Sequence, residues 1–195
     1  MMKKLKTSER IKRILLKRIH RMPLMRACAR RFIARRAPID YRIAQKEDME
    51  TLGRFLHGED ETAFTLFMEE SFTCNPDVFR LLARVRGAIV ASATISKHQL
   101  TADAPEDWWL SGLYVLPTWR GCGIGAGMTE LALQQTRDLG QPALKLIVNK
   151  NNVPAVALYV KLGFYEIPPP FPKSASSAET PAIDPHALFM ENRIR

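Results

Sequence analysis

Long apolar runs are missing from this sequence of 195 residues. No stretch approaches the roughly 18 consecutive apolar residues of a membrane-crossing helix, which excludes a span of that kind. Cysteine is scarce too. Cys28, Cys74 and Cys122 form an odd set of three without metal-ligand spacing, so neither an even disulfide framework nor a cysteine metal site is expected. That usage fits a reducing compartment such as the cytoplasm. The amino terminus lacks an unbroken apolar core and a small-residue cleavage site, so a secretory signal is not expected. It is Arg-rich and acid-poor like an organelle transit peptide, yet poor in serine, and that alternative stays open. No unit repeats at a period of about 20–50 residues, which excludes solenoids and propellers.

Acidic residues are almost absent from one end. Residues 1–36 hold fourteen Lys and Arg against a single acid, Glu9, while the whole chain carries only +9. The remainder is therefore net negative, and the high isoelectric point belongs to an arm. Within the arm, Ile11, Ile14, Leu15 and Ile19 fall at helical spacing. Pro23 interrupts, and Met25, Cys28, Ala29, Phe32 and Ile33 repeat the pattern. Two short basic amphipathic helices are predicted. Such a segment can lie on an anionic membrane surface or on nucleic acid; equally, it can pack on the body or on a partner chain. Ala37-Pro38 marks the boundary, giving an arm over 1–37 and a body over 38–195.

With 46% hydrophobic residues, the body can build a true core. The pattern predicts a strand at 39–45, a helix at 46–58 and a second helix at 62–72. Strands at 78–85 and 88–96 follow, joined by a tight hairpin at Arg86-Gly87. A strand at 107–117, a helix at 128–140, a strand at 143–149 and a helix at 153–163 come next. A strand at 164–168, a loop rich in Pro, Ser and Ala, and a strand at 187–194 close the chain. Strand–helix alternation in the second half favours parallel pairing there, and the hairpin demands antiparallel pairing. The fold class is thus α/β in the mixed, α+β sense: a mixed sheet with helices on both faces.

Glycine is rare, with ten in all, yet Gly121, Gly123, Gly125 and Gly127 crowd into seven residues. They follow a strand and open a helix, and Arg120 stands in front. The first N–H groups of a helix have no internal partner and sit at the positive end of its dipole, so a diphosphate suits them. A P-loop fails, because no Gly-Lys pair follows. A dinucleotide fingerprint is met by Gly121, Gly123 and Ala126, but it needs an acid about 20 residues on. The next strand ends in Val148-Asn149-Lys150, without one. The third pattern, R-x-x-G-x-G/A, is filled by Arg120, Gly123 and Gly125.

Here the sequence resembles the GNAT superfamily of N-acetyltransferases. "LYVLPTWRGCGIGAGM" resembles that family's strand, pyrophosphate loop and helix. "NNVPAVALYVKLGFYEI" resembles its second signature, with Asn152, Ala155, Leu158, Tyr159, Lys161, Gly163 and Phe164 in place. "LFMENRI" resembles its last strand. The resemblance covers Ile39 to Arg195 and implies a central, mostly antiparallel sheet of six to seven strands. It implies acetyl-CoA, or another acyl-CoA, as cosubstrate, and direct acyl transfer to a primary amine, either a small molecule or a protein amine.

The coenzyme would lie where the strand around Leu113–Val115 splays from that around Leu146–Val148. Main-chain groups of Leu113 and Val115 would pair with the pantetheine arm. N–H groups of Arg120, Gly121, Cys122, Gly123, Ile124, Gly125 and Ala126 would hold the pyrophosphate. Asn152 can cap the helix beginning at Val153 and, by the resemblance, would reach the pantetheine or phosphate region. Tyr159, seven residues on, is almost two turns away at about 3.6 residues per turn and shares its face. The resemblance makes Tyr159 the proton donor to the leaving thiolate; without it, the residue would be read as a packed core tyrosine.

A main-chain N–H near Val115 would meet the oxyanion. The general base is unassigned, since the strand 110–115 holds no carboxylate. Glu106, Asp107, Glu69, Glu70 and His98 are candidates, each of which also suits an ordinary surface role. Cys122 as a nucleophile lacks a histidine partner nearby in sequence. The acceptor would enter opposite the coenzyme, against residues 64–72 and the loop 168–186, where acids would suit a cationic amine. The rival function is a non-catalytic, CoA-binding module docked through the arm.

Overall fold

The structure, a computed structural model, describes residues 38–72, 75–100, 105–170 and 184–194. The two helices expected in the arm lie outside them, as do Cys28, Cys74 and most of the Pro-rich loop.

Seven strands form one sheet: β1 (Ile39–Ile43), β2 (Val78–Val85), β3 (Ala88–His98), β4 (Asp107–Val115), β5 (Ala143–Asn149), β6 (Tyr165–Ile167) and β7 (Ala187–Arg193). Their spatial order is β1-β2-β3-β4-β5-β7-β6. Every neighbouring pair is antiparallel except β4–β5. The chain therefore returns from its last loop to insert β7 between β5 and β6. Those two run the same way but do not touch, so the parallel pairing favoured by strand–helix alternation is confined to β4–β5. The β2–β3 hairpin turns on Arg86 and Gly87, both at positive φ (52° and 81°), the combination that matches strand twist in a two-residue turn.

Helices α1 (Met49–His57), α2 (Glu61–Phe72), α3 (Ile124–Asp138) and α4 (Val153–Lys161) cover both faces. Alternation along β2 shows how. Leu81, Ala83 and Val85 pack with Ile124, Met128 and Ala132 of α3 and with Tyr159 of α4. Leu82, between them, packs with Leu52 of α1 and Phe67 of α2. Before α1, a 3-10 turn at Lys46–Asp48 places the Asp48 carboxylate in the interior. Oδ1 of Asp48 accepts from Arg42 Nη2 at 2.6 Å and lies 2.9 Å from Arg84 Nη2, while Oδ2 accepts the Gln45 N–H at 2.9 Å. This buried charge is paired on every side, which is the condition for tolerating it.

The strand β4 contains a bulge. Ser92 faces Tyr114 and Thr94 faces Ser111, so Gly112 and Leu113 together oppose the single residue Ala93. Gly112 sits at φ 60°, a conformation that costs a residue with a Cβ. The extra residue reverses the alternation. Trp108 and Leu110 face the α3 side before the bulge, and Leu113 and Val115 face it afterwards.

Helix α3 begins at Ile124, four residues earlier than the apolar pattern predicts, so Gly125 and Gly127 lie in its first turn. A Cβ on Gly127 would come within 2.6 Å of the Tyr41 hydroxyl of β1, and one on Gly125 within 3.3 Å of Leu158 of α4. Close packing, not the propensity for helix, selects these two glycines.

Gly127→Ala separates two opposed effects. Helix propensity favours alanine by about 1 kcal/mol, and the clash with Tyr41 costs about 1–3 kcal/mol. In urea titrations the variant should be less stable than wild type. In a Tyr41→Ala background the same substitution should stabilise. Stabilisation in both backgrounds would refute the packing argument.

Candidate functional site

Strands β4 and β5 pair at only two positions, Trp109 with Lys145 and Leu110 with Leu146. Beyond Leu110 they part, and a cavity of about 750 Å³ opens between them. The splay falls where the sequence reading put it, between 113–115 and 146–148. Leu113, Val115, Arg120, Gly121, Gly123, Ile124, Gly125, Ala126, Asn152 and Tyr159 all line this one cavity.

Its end wall is the head of α3. Gly123 adopts φ 83° as the residue before the helix, and no side chain caps the terminus. The first helical bond runs from the Gly127 N–H to the Gly123 carbonyl, at 3.1 Å. The N–H groups of Gly121 to Ala126 have no acceptor among the described residues. Helices ordinarily satisfy such donors with a side chain, water or a ligand. Here they meet a cavity wall and carry the positive end of the helix dipole.

Arg120 takes an unexpected position. Its Nε donates to the Val115 carbonyl at 3.0 Å, and its guanidinium carbon lies 5.9 Å from the centre of the Tyr114 ring. The neighbouring Leu116 N–H donates to Val90 on β3, at 3.0 Å. Main-chain groups alternate in direction along a strand, so the Val115 carbonyl points into the gap, and Arg120 caps the open edge of β4.

Asn152 caps α4 as expected, its Oδ1 accepting the Ala155 N–H at 3.4 Å. That leaves its amide donors free for a ligand. Tyr159 is buried, with its ring 5.6 Å from that of Phe164. Its hydroxyl has no hydrogen-bond partner among the described residues, and the residue is one of those that line the cavity. Burial pushes its pKa up from the ordinary 10.0, so it is a neutral proton donor across the physiological range.

Cys122 stands apart from the set. Its side chain is half-buried against the core, with Sγ 3.9 Å from the Arg120 carbonyl, and does not line the cavity. The candidate bases lie outside the cavity wall too. Glu106 pairs with Lys97 at 2.6 Å, and Asp107 with Lys145 at 2.6 Å. His98 lies 3.2 Å from the Ser96 hydroxyl and stacks on Trp109. Glu69 is exposed on α2, and the side chain of Glu70 lies outside the described residues. No carboxylate or imidazole lines the cavity among the described residues, and none of their His, Cys, Asp and Glu side chains cluster as metal ligands do.

Sequence reasoning missed Ser111, Tyr114 and Ile147, which line the cavity. A signal was present: an isolated glycine inside a strand pattern marks a bulge, and the bulge at Gly112 is what turns Tyr114 to the α1 side.

A splayed β4–β5 pair, a bare helix head and a buried tyrosine thus meet around one cavity. The model of the Acetyltransferase (GNAT) family matches residues 42–164, and the chain belongs to that family. A mycothiol acetyltransferase of Nocardiopsis dassonvillei is 33% identical over 93 residues, covering 46% of this chain and 28% of that protein. The chain thus spans under a third of the length of that curated relative. An IAA acetyltransferase of Azospirillum brasilense is 28% identical over 160 residues, covering 82% of this chain and 95% of the relative. The crystal structure of a PaiA N-acetyltransferase from Thermoplasma acidophilum, in complex with coenzyme A, superposes with a TM-score of 0.55 at 17% identity. It covers 80% of this chain and 99% of that one. The fold is therefore the GNAT fold, with seven strands where six to seven were expected.

The raised pKa of Tyr159 has a measurable consequence. A tyrosine whose folded pKa exceeds its unfolded value contributes stability that is complete below the unfolded pKa, about 10, and is lost as pH climbs through the folded one. Wild type minus Tyr159→Phe in a tyrosinate absorbance titration should show one group ionising above pH 10. The stability difference between the two should stay flat up to about that pH and shrink beyond it. A difference curve centred at or below 10 would contradict the burial assigned to this hydroxyl.

Proposed function

We propose that this chain is an acetyl-CoA-dependent N-acetyltransferase acting by direct attack of a primary amine. The observation that supports it most is the row of unpartnered N–H groups at the head of α3, opening on the same cavity as the Tyr159 hydroxyl. Acetyl-CoA supplies the activated acyl group as a thioester. The N–H groups from Gly121 to Ala126 hold the diphosphate, with Asn152 beside them; the Arg120 N–H, expected in this set, donates instead to the Pro117 carbonyl at 3.4 Å. Leu113 and Val115 present main-chain groups to the pantetheine arm. The Val115 N–H, which points into the gap with its carbonyl, faces the carbonyl oxygen as negative charge grows on it.

The C–N bond forms and the C–S bond breaks. Tyr159 gives its proton to the sulfur as the thiolate leaves. The amine attacks as the free base, and the proton it sheds as the C–N bond forms replaces, through water, the one Tyr159 gives the sulfur, so the phenol is restored and the products are the amide and the free thiol.

Two substitutions test the reading. Tyr159→Phe should lower kcat by about 10²-fold or more while the Kd for acetyl-CoA, by calorimetry, stays within about twofold. Equal losses in both would make Tyr159 structural. Gly123→Asp places a carboxylate at the anion site and should abolish binding; unchanged affinity would remove the diphosphate assignment.

A second reading, a CoA-binding module without turnover, is favoured by the lack of a carboxylate or imidazole among the described lining residues. Release of free thiol from acetyl-CoA in the presence of a panel of amines decides between the two.

The arm, 1–37, is in this proposal a separate addressing module of a cytoplasmic protein, seated on an anionic membrane surface or on nucleic acid. Deleting residues 1–36 should leave turnover of a small amine unchanged and abolish sedimentation with phosphatidylserine vesicles or retention on RNA. Loss of turnover would tie the arm to the body.

A further inference from the structure

The cavity has two mouths, because the sheet side chains that line it point to opposite faces. Leu113 and Val115 of β4 pack toward α3, and so do Leu146 and Val148 of β5. Tyr114 and Ile147, between them in sequence, therefore face the α1 side. Both line the cavity, and both are open to solvent, at 40% and 45% of full exposure. Phe55 of α1 meets Tyr114 edge to face, with ring centres 5.9 Å apart. The second mouth is thus an aromatic and aliphatic ledge.

The charges around it point the same way. Arg120 is the only charged side chain lining the cavity among the described residues, and it is a cation. The acids nearest in sequence, Glu106 and Asp107, are each held by a lysine at 2.6 Å. Glu191, one strand further, lies 3.8 Å from Lys145 and 3.2 Å from Arg193. Among the described residues, a polycationic acceptor finds no free counter-charge on these walls. Of the acids expected at the entrance, Glu69 is exposed on α2 and does not line the cavity, while the Glu70 side chain and most of the loop 168–186 lie outside the described residues.

We propose that the acceptor is a monoamine with a flat apolar body, of the arylalkylamine type, whose ring lies on Phe55, Tyr114 and Ile147 while its nitrogen enters the slot beside Ser111. This rests on the acyl-transfer reading of the same cavity. Phe55 and Tyr114 are specificity-determining: they bind the body of the acceptor and leave the coenzyme mouth untouched. Offset or edge-to-face packing of a third ring on such a pair is the favoured geometry.

The full chain is assayed for thiol release from acetyl-CoA with phenethylamine, putrescine and ethanolamine, and acetyl-CoA affinity is measured in parallel. Phenethylamine should show a kcat/KM at least tenfold above both others. Phe55→Ala should raise the KM for phenethylamine about five- to tenfold with kcat and acetyl-CoA affinity within about twofold of wild type. Phe55→Leu, which keeps apolar volume if the alanine variant does not fold, should raise that KM about threefold.

Preference for putrescine, or an unchanged phenethylamine KM in the folded Phe55 variant, overturns the proposal. So does thiol release with none of the three amines while acetyl-CoA binds normally, an outcome that leaves the coenzyme site standing. If acetyl-CoA itself does not bind, the reading of the cavity falls, and this proposal with it.

Discussion

Two residue pairs hold the β4–β5 junction together, and the remainder of the site depends on how little that is. Trp109 and Leu110 reach Lys145 and Leu146, and then β4 carries the extra residue of the bulge at Gly112. A bulge adds twist and bends its strand. The bent strand leaves its neighbour, and main-chain groups that would have closed a ladder face a slot. Buried backbone donors and acceptors must be satisfied somehow. On β4 the structure satisfies one of them with Arg120. Those at the head of α3 have no acceptor among the described residues. The binding capacity is therefore a withheld pairing within the sheet, placed beside a helix end that also lacks its cap.

The same bulge divides the labour between the two faces. Without it, Gly112 and Tyr114 would continue the buried row of Trp108 and Leu110, and the phenol of Tyr114 would press into α3. With it, Leu113 and Val115 take the buried places, and Tyr114 turns toward Phe55. One inserted residue thus sets both the apolar wall of the cavity on the α3 side and the aromatic edge on the far side.

Much of this was legible in the sequence, and the parts that were not share a cause. Strands and helices followed from local periodicity, and ten of the named site residues converge because two motifs flank one strand–helix–strand unit. The start of α3 was misplaced because Gly125 and Gly127 weaken any helical pattern; their reason lies in Leu158 and Tyr41, which are distant in sequence. The insertion of β7 between β5 and β6 has no local signal, since strands join across a long loop by tertiary fit. Gly112 did carry a signal, an unexplained glycine within an apolar strand, and its meaning is a change of face. The inward turn of Cys122 and the neutralised states of Glu106 and Asp107 depend on neighbours that spacing cannot reveal.

Tyr41 wedges the phenol of the outermost strand against the backbone of the helix that bounds the coenzyme slot. It stands only three residues past Pro38, at the start of the described residues. Anyone shortening this chain for crystallisation therefore has a sharp margin. A cut that takes Tyr41 leaves a ring-sized void beside the first turn of α3 and loosens the head of that helix from behind.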